Sequence, residues 1–236
     1  MSSINNILCI ETATKMCSVA VKNNLGEIFC VEEQANKHIS HLTAFIETCL
    51  QNANVEMQAL KAVAVSSGPG SYTALRAGVS AAKGICFALD IPLVSVSTLE
   101  SLAYASFLIF KDTEAIYTAC IDARRDEIYT AHYVFDLETN GFKEMIAPYS
   151  HVVTPESFKE ILVGDKKIIL SGDGAEKTKR LLNYSNCIDA QIFCSAKHLL
   201  ALAEKKFNQN IFEDLDAFTP FYLKPPNITV PKKNYF

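Results

Sequence analysis

Gly68-Pro69-Gly70-Ser71-Tyr72-Thr73-Ala74-Leu75-Arg76-Ala77-Gly78 separates a short apolar run, residues 61–66, from a helical stretch reaching Leu89. The run has Ala-Val-Ala-Val at its centre and reads as a compact buried strand, which the glycine-proline-glycine segment ends. A strand, a glycine-rich turn and a helix N-terminus therefore follow one another. Exposed backbone N–H groups and the helix dipole suit such a turn to an anion. The same glycines also suit a plain tight turn, and the residues alone leave both readings open. No Gly-Lys-Ser/Thr follows at the spacing of a P-loop.

Working outward, residues 6–11, 16–22 and 27–33 read as three short strands of an antiparallel meander. The last of them follows the Asn23-Asn24-Leu25-Gly26 turn. A helix is expected over 40–52, with Ser40 as N-cap and Leu42, Phe45, Ile46, Cys49 and Leu50 at helical spacing. Beyond the quoted segment lie a helix over 72–89, a strand over 93–96 and a helix capped by Ser97 or Thr98 that ends near 110. A second start follows near 115. Strands over 116–122 and 127–135 flank Ala123-Arg124-Arg125-Asp126, a strand over 167–170 precedes Ser171-Gly172-Asp173-Gly174, and 176–182 and 196–207 look helical. The second half repeats the first loosely and in shortened form. Residues 224–236, basic and proline-bearing, read as an extended tail, either mobile or clasping something.

The chain has 236 residues, 49% apolar and 20% charged, with a formal net charge of -4. That composition supports a sizeable core in one large domain or two small ones. The basic pairs Arg124-Arg125, Lys166-Lys167, Lys205-Lys206 and Lys232-Lys233 are scattered among acids and read as solvated surface, so any RNA contact is expected to come mostly through a partner. The eight cysteines, Cys9, Cys17, Cys30, Cys49, Cys86, Cys120, Cys187 and Cys194, form no Cys-x-x-Cys pair and sit mostly in apolar runs. They read as reduced core residues of a cytoplasmic protein. No secretory signal and no membrane-spanning run are expected.

Gly68-Pro69-Gly70-Ser71-Tyr72-Thr73, with Leu75-Arg76 and Gly78, resembles the hallmark of the TsaB/TsaD family, formerly called glycoprotease-like, and in particular its TsaB (YeaZ) branch. The opening 7–13, the turn 122–129, the segment 171–175 and the ending 221–229 resemble that branch too. The resemblance implies an actin-like (ribonuclease H-like) two-lobed α/β fold. The first lobe, residues 1–110, would carry a mixed five-stranded sheet and the dimerisation helices. A reduced second lobe would span 111–222, followed by the tail 223–236. It also implies work with TsaD, which transfers a threonylcarbamoyl group onto the tRNA adenosine next to the anticodon, and with the ATPase TsaE. The expected role is a non-catalytic partner that binds and activates TsaD, forms a homodimer when alone, and meets tRNA only through the complex.

Three departures from the catalytic pattern support that expectation. The helix near 98–110 holds no histidine, where the catalytic relatives carry a His-x-x-x-His metal pair. The first phosphate hairpin reads Glu11-Thr12-Ala13-Thr14, with alanine where a phosphate needs glycine. The second contains Arg124-Arg125 and no glycine. No catalytic residue, metal site or intrinsic cofactor is therefore expected. ATP or ADP at a partner interface stays open, with Gly172, Asp173 and Gly174 as the weak candidates, although two glycines after a strand also make an ordinary turn. The rival readings are an ATP-dependent kinase or acyltransferase of the same fold and a metallopeptidase-like protein. His38 and His41 form the one close histidine pair and read as surface or capping residues.

The helix over 72–89 carries Ala74, Ala77, Ala81, Gly84 and Ala88 on one side and Leu75, Val79, Ala82 and Cys86 on another. A helix apolar on two sides is sandwiched, between its sheet and either its own neighbour or a partner. The resemblance favours a partner and implies an interface through Ala74, Ala77, Gly78, Ala81, Gly84 and Phe45.

Overall fold

The computed structural model describes residues 6–34, 41–138, 141–162, 166–182 and 184–225. In the first half, β1 (Ile7–Glu11) pairs antiparallel with β2 (Met16–Lys22), which pairs antiparallel with β3 (Ile28–Gln34). On its other side β1 pairs parallel with β4 (Ala62–Ser66), and β4 pairs parallel with β5 (Leu93–Val96). The spatial order is β3-β2-β1-β4-β5. The parallel strands are covered on both faces, which is why β1 and β4 read as unbroken apolar runs.

The second half repeats this plan strand for strand. β6 (Ile116–Asp122), β7 (Glu127–Asp136) and β8 (Gly141–Val152) form the meander, and β9 (Ile168–Ser171) and β10 (Cys187–Asp189) add in parallel beyond β6. The sheet is therefore complete, and the shortening lies in the helices. α2 (Tyr72–Leu89) has 18 residues, whereas its counterpart α4 (Ala175–Leu181) has 7. Where α1 (Leu42–Ala53) stands in the first half, the described residues 153–162 form turns.

The remaining helices are exchanged between the halves. One face of the first sheet, through Leu8, Ile10, Val19, Val63 and Val65, packs against α1 and α2. Its opposite face, through Ile7, Cys9, Ala62, Ala64 and Val94, packs against Leu200, Leu202 and Ala203 of α5 (Leu200–Asn208). Conversely, α3 (Thr98–Phe110) places Leu99, Leu102 and Ala103 on Tyr117, Ala119 and Ile169 of the second sheet. The layers run α1/α2, first sheet, α5 with α3, second sheet, then α4. A boundary at residue 110 thus divides the sheets, while α3 and α5 each pack across it.

Local differences from the sequence reading have plain causes. Ser40 lies outside the described residues, and α1 begins at Leu42 with His41 at the N-cap position. The expected helix over 196–207 is a 3-10 turn at Ala196–His198 followed by α5. Ser97 does cap α3, accepting from Glu100 N at 3.4 Å. All eight cysteines are unpaired; seven are buried and Cys30 is half-buried. Among the described residues no helix is long and apolar enough to cross a membrane.

Candidate functional site: the glycine turns and the groove between the first two helices

The glycines of residues 68–78 are required by the chain's own backbone. A side chain on Gly70 would collide with the Ala13 carbonyl, the group that accepts from Ser71 N at 2.7 Å. Gly68 has φ +104° and lies against the Phe221 carbonyl, while Phe221 N donates to Ser67 O at 2.7 Å. Gly78 faces Thr12, whose hydroxyl donates to Ala74 O at 2.8 Å. The β1–β2 turn and residues 221–222 therefore occupy the space beside the glycine turn. Tyr72 meets Tyr222 with ring centroids 4.7 Å apart, and Arg76 lies 4.3 Å over Tyr72 and donates to the Tyr222 hydroxyl at 3.3 Å. Pro69 is buried and Thr73 is exposed at the start of α2.

Glu11, at the end of β1, is fully buried. Its Oε1 accepts from Ala13 N at 2.6 Å and from Ser66 Oγ at 2.8 Å, and its Oε2 has no partner. Burial pushes this carboxyl up to about 7, against the lowering effect of those hydrogen bonds. It ties the first turn to the end of β4, and sequence reading had noted the position only as a missing hairpin.

The second lobe repeats the arrangement. Gly172, at φ +101°, would collide through any side chain with the Cys120 carbonyl, which accepts from Gly174 N at 2.9 Å. Asp173 Oδ1 accepts from Asp122 N at 2.9 Å, and burial raises its carboxyl. Gly172, Asp173 and Gly174 thus hold the β6–β7 turn. His41 is exposed and lies 3.8 Å from Glu33, and His38 is outside the described residues. Among the described residues no three His, Cys, Asp or Glu side chains converge as metal ligands.

The interface candidates divide by helix face. Ala74 and Gly78 are buried within the chain, turned toward the β1–β2 turn, so neither lies on an open surface. Ala77 is half-buried, and Phe45 packs partly against the first core. Ala81 and Gly84 line an open groove of about 880 Å³ between α1 and α2, together with Ile46, Leu50, Ile85 and Ala88. A side chain added at Gly84 would meet nothing within 4 Å. Phe87, one turn further on, is 82% exposed. Sequence periodicity marks Ala81, Gly84 and Ala88; Ile46 and Leu50 read there only as core positions of α1, because only the packing of α1 and α2 on one sheet brings them to the groove.

Two copies of one five-stranded plan, each packing a helix from the other half, define a duplicated α/β protein with an open groove between the first two helices of its first lobe. Residues 30–231 match the family model described as TsaD: tRNA N6-adenosine threonylcarbamoyltransferase, and the chain belongs to that family. It is 32% identical over 139 residues to the tRNA threonylcarbamoyladenosine biosynthesis protein TsaB of Haemophilus influenzae, and spans 58% of that relative's length. It is 27% identical over 222 residues to TsaB of Bacillus subtilis, covering 92% of this chain and 93% of that one. Among solved structures it is similar to YeaZ from Pseudomonas aeruginosa, with a TM-score of 0.79 at 26% identity over 93% of this chain and 100% of that one.

Proposed function

We propose that the chain is a partner subunit in the tRNA modification that makes N6-threonylcarbamoyladenosine. It docks through the α1–α2 face onto a catalytic relative, TsaD, and supports the transfer without performing bond chemistry itself. The observation that carries this is Gly84. Glycine inside a helix costs about 1 kcal/mol relative to alanine, and here nothing in the chain itself occupies the space a side chain would take. A closely approaching helix from another molecule gives that glycine a physical reason, and the apolar groove and exposed Phe87 give the visitor a surface to cover.

The turns add support. In the first lobe the approach to the glycine turn is taken by the Ala13 carbonyl, and in the second the approach to Gly172 is taken by the Cys120 carbonyl. A partner of the same family presents the same two helices, so the docking is a pseudo-two-fold pairing. A second copy of this chain takes that place when the partner is absent. TsaE and an adenine nucleotide join at the partner junction, and tRNA is held by the assembled complex.

The test is sedimentation of the purified chain, alone and mixed with TsaD from the same cell, with and without ATP and magnesium. The proposal expects a homodimer that exchanges into a heterodimer, and threonylcarbamoyl transfer that requires both chains. A chain that ignores TsaD yet hydrolyses ATP alone would overturn it in favour of the kinase-like reading.

A further inference from the structure

Arg124 and Arg125 occupy successive left-handed positions, at φ 74° and 51°, in the turn between β6 and β7. Two adjacent non-glycine residues there are strained, and such strain persists only where the surroundings enforce it. The enforcement is visible. Lys177 Nζ donates to Asp122 Oδ1 at 2.6 Å, to Arg125 O at 2.8 Å and to Glu127 O at 2.8 Å. Arg124 N donates to the same Asp122 Oδ1 at 2.9 Å, and Asp173 holds Asp122 N. The backbone is pinned from within, and both arginine side chains stand exposed without an ion pair among the described residues. Asp126, exposed in the same turn, offsets one of the two charges.

Other cations extend this point into a rim. Exposed Lys15, in the β1–β2 turn of the other lobe, lies near enough to Asp122 and Asp173 for its charge to favour both carboxylates, although burial still leaves Asp173 raised. On the other flank Lys224 pairs with Glu127, and nearby in sequence Tyr222 packs at a tilt against Tyr72, over whose ring Arg76 lies. Arg76, Lys15 and Lys224 thus flank the two arginines, on a chain whose net charge is -4.

We propose that this rim, centred on Arg124 and Arg125, contacts the phosphodiester backbone of RNA, so that the second lobe touches the tRNA directly. The inference rests on the proposed function for the presence of tRNA. Planar guanidinium forks match phosphate oxygens in pairs, which suits two adjacent exposed arginines to an RNA backbone. So few cations on an acidic chain give weak affinity alone, so the contact counts within the complex, where the partner supplies the rest.

The experiment is binding of an unmodified tRNA transcript to the reconstituted complex with TsaD, by fluorescence anisotropy across about 50–200 mM salt. Wild type is compared with Arg124→Ala/Arg125→Ala, and sedimentation without RNA serves as the assembly control. Removing two phosphate contacts makes the log–log salt slope shallower by about 1.4–1.8 and weakens binding roughly ten- to fifty-fold near physiological salt, with assembly unchanged. An unchanged slope and affinity overturns the proposal. So does loss of assembly, which assigns the arginines to an acidic protein partner. If the wild-type chains fail to assemble, the proposed function falls separately. Titration of this chain alone with tRNA then decides: weakening by the double substitution supports the contact, and indifference overturns it.

Discussion

Replacing Glu11 with glutamine makes the chain more stable at alkaline pH and leaves it nearly unchanged in acid. The carboxyl is fully buried, with Oε1 engaged by Ala13 N and Ser66 Oγ and with Oε2 unpartnered. Burial pushes its pKa from 4.5 to about 7. Below about pH 4.5 both folded and unfolded states carry the proton, and stability does not depend on this group. Between 4.5 and about 7 only the folded state keeps it, so stability falls as pH rises; above 7 the loss is complete. The displacement corresponds to about 3 kcal/mol. Glutamine has the shape of the protonated acid and no proton to lose, so the variant escapes this loss. Thermal denaturation from pH 4.5 to 8.5 should show the two proteins within about half a kcal/mol at the acid end. At pH 8 the variant should melt about 6–12 °C higher, at about 2–4 °C per kcal/mol for a chain of this size. A constant difference across the range, or a less stable variant at pH 8, would refute the reasoning, because either result means that Glu11 does not titrate as a buried, half-satisfied acid.

Gly172→Ala should lower stability by about 2 kcal/mol or more, because a left-handed φ and the Cys120 carbonyl both oppose a side chain; chemical denaturation measures it. Gly84→Ala should instead raise the stability of the isolated chain by about 1 kcal/mol, the helix-propensity gain with open space around it. Lys177→Met removes the donor that Asp122 Oδ1, Arg125 O and Glu127 O share; Arg124 N and Ala123 N still serve Asp122 Oδ1 and Glu127 O, so the change should cost about 1–3 kcal/mol, with faster amide exchange near Arg124 and Arg125. His132, buried between Thr118 and Tyr149, is held neutral by burial, its pKa lowered to about 3. As pH falls from 6.5 toward 3 the unfolded state gains a proton that the folded state refuses, so stability drops; His132→Gln should flatten that acid slope in pH-dependent melts.

Much of the first lobe is legible in the sequence because its elements obey a single period. β2, α2 and β5 fall at the expected residues, since alternation and the three- and four-residue apolar steps are uninterrupted there. β8 is not legible: most of its residues are exposed or half-buried, and Pro148 stands inside it, so no alternating apolar face marks it. β10 is three residues long, too short to show a period. The exchange of α3 and α5 between sheets is a tertiary fact that no local pattern encodes. At the turns the sequence announced glycine but not its cause: a colliding Ala13 or Cys120 carbonyl is distant in sequence and adjacent only after folding. The α2 stripe was half legible. Spacing puts Ala74 with Ala81 and Gly84, and the resemblance adds Gly78, whereas the β1–β2 turn buries Ala74 and Gly78 and leaves Ala81 and Gly84 on the groove.

The docking role of the α1–α2 face is tested most directly by titrating TsaD into Gly84→Leu and wild type, following association by sedimentation and melting each isolated chain as a control. The account predicts at least roughly tenfold weaker association, about 1.4 kcal/mol, with an isolated variant that melts no lower than wild type. Unchanged association with an equally stable variant would contradict it, and would place the partner elsewhere on the molecule.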